Sequence, residues 1–125
     1  MPSKWGLLAL GGILGTFGRY LLSGAVYRWM GTAFPYGTLV VNVSGCLIIG
    51  FLGTLADKKF LLGPDARLFV MIGLLGAFTT FSSLIYESWK LFQDGQLMLG
   101  VVNLAGSVVL GLMAFWIGSL IASLF

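Results

Sequence analysis

Thr79, Thr80, Ser82 and Ser83 place four hydroxyls around a single ring, Phe81, inside a long uncharged run. Hydroxyls both donate and accept hydrogen bonds. A group of them at membrane depth therefore suits an ion that must shed water without meeting a full countercharge. Two further polar sets recur at helical spacing. Thr38 and Asn42 stand four residues apart, on one helix face. Asn103, Ser107 and Gly111 take the same step. Carboxamides are costly to bury without partners, so Asn42 and Asn103 demand an internal purpose more strongly than Thr or Ser, which can bond back to their own helix.

The charged residues point the same way. Arg19 is the one cation well inside an apolar segment. It either snorkels to the nearer interface or stands at the mouth of an aqueous vestibule, where it draws anions in. No carboxylate lies deep in a segment. Glu87 is the only candidate, and it sits at an edge one turn before Lys90, a spacing that predicts an interfacial Glu87–Lys90 pair. Proton-coupled carriers rely on a buried Asp, Glu or His, and the chain contains no His. The same inventory argues against an enzyme, since paired carboxylates and an activated nucleophile are missing. It also argues against a side-chain transition-metal site. Cys46 reads as a small apolar filler. What remains is a neutral route lined by hydroxyls and amides, which fits passive conduction better than proton-coupled exchange.

These residues need membrane helices to hold them. Of 125 residues, 58% are hydrophobic and 9% charged, against about 25% charged in a soluble domain. Uncharged runs cover residues 5–18, 29–56, 68–86 and 95–125. A spanning helix needs roughly 20 mostly apolar residues, so the pattern predicts an all-α membrane protein with four spans at about 5–29, 36–56, 66–89 and 96–123. Together they make one four-span unit over residues 1–125. A cleaved leader is the weaker reading of the first span, because its apolar run outlasts a typical signal core. Trp5, Trp29, Trp89, Tyr27, Tyr36 and Tyr86 fall near span ends, as interfacial anchors do. Lys4, Lys58, Lys59 and Arg67 lie on one side against Arg28 and Lys90 on the other, a weak bias that permits insertion either way up. Four short spans enclose little by themselves, so oligomerisation is expected. Glycines, including the G-x-x-x-G of Gly11 to Gly15, favour close helix packing.

The third span carries the strongest local signal. Gly73 and Gly76 precede Thr79-Thr80, and both residue types weaken a helix. A break near 76–80 would free backbone carbonyls at the midplane, which are tolerated only when they face protein, water or an ion. An unbroken helix with its hydroxyls bonded back one turn fits the same residues. The phenylalanines have positive ring edges, so Phe81, and Phe78 almost one turn before it, could offer an anion weak electropositive contacts. Packing bulk is the ordinary alternative for either.

At this point the chain resembles the Fluc (CrcB) family of fluoride channels over its whole length. The first span has Gly11-Gly12-Ile13-Leu14-Gly15-Thr16-Phe17-Gly18-Arg19-Tyr20, similar to the family's glycine-rich run ending in Arg. The second has Gly37-Thr38-Leu39-Val40-Val41-Asn42-Val43-Ser44-Gly45, and the third Gly76-Ala77-Phe78-Thr79-Thr80-Phe81-Ser82-Ser83, which resembles GGFTTFST. The resemblance implies an antiparallel, dual-topology homodimer with two pores that expels fluoride across a bacterial-type inner membrane. It implies a central structural sodium ion on the backbone carbonyls of Gly76 and Thr79. It assigns the pore to Asn42, Phe81 and Ser107, with Thr38 and Arg19 near the pore path and vestibule; from their own chemistry Phe78 and Ser82 are further candidates for the fluoride pore. Lipid, fluoride and a second copy are the implied partners; nucleic acid is not. Two positions depart from the family pattern. Leu84 stands where a second Phe is usual, and Ala77 replaces a common Gly. The competing readings are a small four-span multidrug transporter, which would need an acid in the first span, and a non-transporting membrane partner protein.

Overall fold

The computed structural model describes residues 3–125, and the described residues form helices and short connections. Helix α1 (Lys4–Met30) starts at Ser3, whose hydroxyl accepts the Gly6 N–H at 3.0 Å. It ends at Gly31, where φ of +85° needs a residue without Cβ. Helix α2 covers Tyr36–Asp57. The third span, Pro64–Gln93, comes in pieces: α3 (Pro64–Ala66), a π-helical stretch Arg67–Leu74, α4 (Leu75–Phe78) and α5 (Phe81–Gln93). Helix α6 (Leu97–Ala122) closes the chain. Four segments, Lys4–Met30, Tyr36–Asp57, Pro64–Gln93 and Leu97–Ala122, are long and apolar enough to cross a membrane. The expected bounds agree with them to within a few residues.

The π-helical stretch was not foreseen. Its wider winding shows where Leu75 N–H bonds to Val70 O, five residues back. Glycine packing accounts for its neighbourhood. A Cβ on Gly11 would come within 2.5 Å of Phe69 O, and one on Gly15 would collide with Leu74 O. The G-x-x-x-G motif of α1 is thus spent inside the chain, bringing α1 against the third span. Helices α2 and α6 make the most extensive pairing. A Cβ on Gly50 would run into the Phe115 backbone and one on Gly118 into Leu47 O. Close backbone approach supplies packing that the hydrophobic effect cannot supply between helices in lipid.

Few large side chains are buried. The core is Val41, Ala56, Leu75, Leu84, Leu91, Ala114 and Ala122, whereas Phe17, Leu112, Trp116 and many others face outward. An apolar exterior over a small-residue core is what a lipid solvent allows. At the end of α2, Arg67 ties the connection together, with Nη2 on Ala56 O at 2.6 Å, Nε on Leu62 O at 3.3 Å and Nη1 3.5 Å from Asp57 Oδ1.

Candidate functional site

The break in the third span falls at Thr79 and Thr80, one step past the glycines that suggested it. Both adopt extended backbone, with φ/ψ of −85°/155° and −148°/116°. Thr79 still closes the last turn of α4, its N–H and its hydroxyl both reaching Leu75 O at 3.1 and 3.0 Å. Thr80 starts α5 by accepting the Ser83 N–H on its hydroxyl at 3.2 Å. The same hydroxyl donates to Ser83 Oγ at 3.1 Å and lies 3.5 Å from Ser82 Oγ. Of the four clustered hydroxyls, that of Thr79 closes the end of α4, those of Thr80 and Ser83 meet at the start of α5, and that of Ser82 remains exposed.

Asn42 holds the break open. Its Oδ1 accepts the Thr80 N–H at 2.8 Å and its Nδ2 donates to Thr80 O at 2.9 Å. A side chain from α2 thus substitutes for both helical bonds that Thr80 forgoes, leaving the amide one N–H to spare. Arg19 acts on the other side. Its Nε reaches Ala77 O at 3.2 Å, so the guanidinium meets the negative end of α4. Among the described residues, no donor reaches the carbonyls of Gly76 or Thr79. Gly76 is exposed, and the N–H that would ordinarily serve it belongs to Thr80, which is committed to Asn42. These two oxygens are the pair expected to hold a sodium ion, and hard oxygen donors without hydrogen bonds suit such an ion.

A groove of ≈ 340 Å³ runs past the break. Asn42 and Cys46 line it from α2, Gly76, Thr79 and Thr80 from the break, Phe81 and Leu84 from α5, and Ser107 from α6. Phe81 is 74% exposed, its ring free of packing within the chain. Leu84, at the position of the usual second Phe, is 7% exposed. Ser107 Oγ is buried without a hydrogen-bond partner among the described residues. Phe78 lies elsewhere: its ring fills the slots left by Gly18 and Gly45, with ideal Cβ positions on each 3.5 Å from the ring carbons. It packs α4 onto α1 and α2.

The remaining polar stripe residues cross helices at the far end of α5. Asn103, 2% exposed, donates to Ser88 Oγ at 2.9 Å, and Ser88 donates to Leu84 O at 2.8 Å. Thr38 donates to Glu87 Oε1 at 2.8 Å. The expected Glu87–Lys90 pair does not form. Glu87 turns inward to Thr38, leaving Oε2 buried without a partner, and Lys90 Nζ lies 5.5 Å over the Tyr86 ring instead. A half-buried acid prefers a fixed hydroxyl to a flexible surface ammonium, whose exposed pairings are weak. Sequence reasoning passed over Ser88. Its only signal was a four-residue step from Leu84, too common to single out.

The family model described as CrcB-like protein, Camphor Resistance (CrcB), matches residues 6–119. Curated proteins are similar over most of this chain. A protein of Opitutus terrae is 49% identical over 117 residues, covering 92% of this chain and 89% of its own. One of Solibacter usitatus is 44% identical over 119 residues, covering 95% and 98%. One of Methylococcus capsulatus is 43% identical over 115 residues, covering 92% of this chain and 50% of its own, so this chain spans half that relative's length. All three are named fluoride-specific ion channel FluC.

Proposed function

The chain belongs to the CrcB-like protein family, and from that premise we propose that it is a fluoride channel, an integral protein of a bacterial-type inner membrane. Its relatives are named as channels rather than enzymes. The observation that carries the reading is the groove beside the break, where donors without acceptors meet an unpacked aromatic ring.

Fluoride is small and tightly hydrated, so a path for it must replace water with fixed donors. The free Asn42 N–H and the unpartnered Ser107 hydroxyl fill that role. Phe81 presents a ring edge, whose partial positive charge attracts an anion without trapping it. The Asn42 clamp fixes the donor in place, because its other amide positions are committed to Thr80. Without a relay acid at this point, conduction is passive and its direction follows the fluoride gradient. Efflux then protects a cytoplasm that has accumulated fluoride.

In one copy the groove is open on one side. Polar backbone cannot face lipid, so the exposed Gly76, the free Thr79 carbonyl and Phe81 need a cover. A second copy in antiparallel orientation would supply it, giving two pores per homodimer. The Gly76 and Thr79 carbonyls would then hold a structural sodium ion, which supplies positive charge to the break and keeps the two copies in register. Fluoride efflux from proteoliposomes tests the whole reading. Wild-type protein is expected to release fluoride rapidly and Phe81→Ile protein to do so barely, with an unchanged elution volume in detergent. An intact wild-type protein that passes no fluoride with sodium present overturns it.

A further inference from the structure

The connection between α2 and the third span has a shape that neither helix packing nor conduction explains. Leu61 N–H bonds to Leu55 O at 3.0 Å, six residues back, and the residue before it takes left-handed backbone. That residue is Phe60, with φ of +54°. Glycine is the usual occupant, and a bulky residue there is strained. Phe60 nonetheless remains 83% exposed, and Leu61 is 61% exposed beside it. The two immediately preceding residues are Lys58 and Lys59, both exposed.

The other cations are occupied, with one exception. Lys4 Nζ lies 5.1 Å over Trp5 and Lys90 Nζ 5.5 Å over Tyr86. Arg19 is on Ala77 O, and Arg67 on Ala56 O, Leu62 O and Asp57. Arg28, at the opposite end of the bundle, stands alone. Lys58 and Lys59 thus form the one adjacent pair of cations without a protein partner among the described residues. The acids at their end are Asp57, held by Arg67, and Asp65 in the first turn of α3. Two free ammonium groups, followed by an exposed aromatic and an exposed aliphatic side chain, sit where a span meets the membrane surface.

We propose that Lys58 to Leu61 is a recognition loop for anionic phospholipid, with Lys58 and Lys59 on the phosphate headgroup and the Phe60 and Leu61 side chains among the upper acyl carbons. Juxtamembrane cations attract anionic headgroups, and aromatic rings favour the interface. The lipid contact repays the left-handed backbone at Phe60. Arg67 fastens this loop to both α2 and the third span, so a lipid held there braces the entry to the π-helical stretch. The inference stands apart from fluoride conduction.

The test is thermal unfolding of the full chain in neutral detergent, with phosphatidylglycerol, phosphatidylcholine or soluble glycerol phosphate added. The wild-type midpoint is expected to rise by several degrees with phosphatidylglycerol only. Lys58→Gln/Lys59→Gln is expected to keep the lipid-free midpoint and lose the rise, and Arg28→Gln to keep both. Phe60→Gly, which suits the backbone better, is expected to unfold no earlier without lipid yet gain less from it. An undiminished rise in the lysine variant overturns the proposal, as does an equal rise with phosphatidylcholine or glycerol phosphate, or a loss of the rise in Arg28→Gln.

Discussion

Asn42 is the residue on which the site turns. It satisfies both backbone groups of Thr80 at the break, so removing it leaves a donor and an acceptor without partners in a membrane protein's interior. Each such loss costs about 1–3 kcal/mol. Asn42→Ala should therefore lower unfolding stability by roughly 2–6 kcal/mol in a denaturant titration, and abolish fluoride flux as well. Phe81→Ile should also remove flux but spare stability, because the ring is 74% exposed in the chain. The two variants separate the clamp from the pore edge. The sequence made Asn42 conspicuous because a buried carboxamide needs partners, but it did not say that those partners would be backbone. Leu84 is legible as a departure and, in space, as a groove-lining side chain. Leu84→Phe adds a ring edge at that wall. It should leave fluoride efflux at or above the wild-type rate, measured with a fluoride electrode.

At the scale of elements, the four spans were readable because uncharged runs and the length of a membrane-spanning helix set their bounds. The break was readable only as one of two alternatives. Gly76 and Thr79-Thr80 lower helix propensity, yet it is the capping by Thr80 and the Asn42 clamp, both tertiary or local hydrogen-bond events, that settle it at 79–80. The π-helical stretch at Arg67–Leu74 was not legible in the sequence, since Gly73 lowers helix propensity without specifying a wider winding, and the close approach of α1 to this stretch at Gly11 is a tertiary contact. The glycines divide accordingly. Gly15 faces the Leu74 backbone, whereas Gly12 on the same helix has open space around its Cβ direction. Gly15→Ala should cost about 1–3 kcal/mol through overpacking. Gly12→Ala should be neutral or stabilise by up to about 1 kcal/mol. Comparing the two unfolding midpoints checks that the motif residue Gly15, and not its neighbour Gly12, carries the packing of α1 on the third span.

For the whole molecule, the balance of buried and exposed groups argues for an assembly. A single copy leaves the groove open and Phe81 outside, while its polar stripes point inward. Light scattering of the detergent-solubilised protein should give the mass of two copies. Conduction of fluoride through the groove beside the broken third span is the proposal on which the rest depends. The most direct measurement is fluoride release from liposomes containing the purified protein, with sodium present and a potassium ionophore to dissipate voltage. Wild-type protein should give fast, saturating release, Phe81→Ile little, and chloride should leave at no comparable rate. Liposomes that hold folded, dimeric wild-type protein and still retain their fluoride would contradict it.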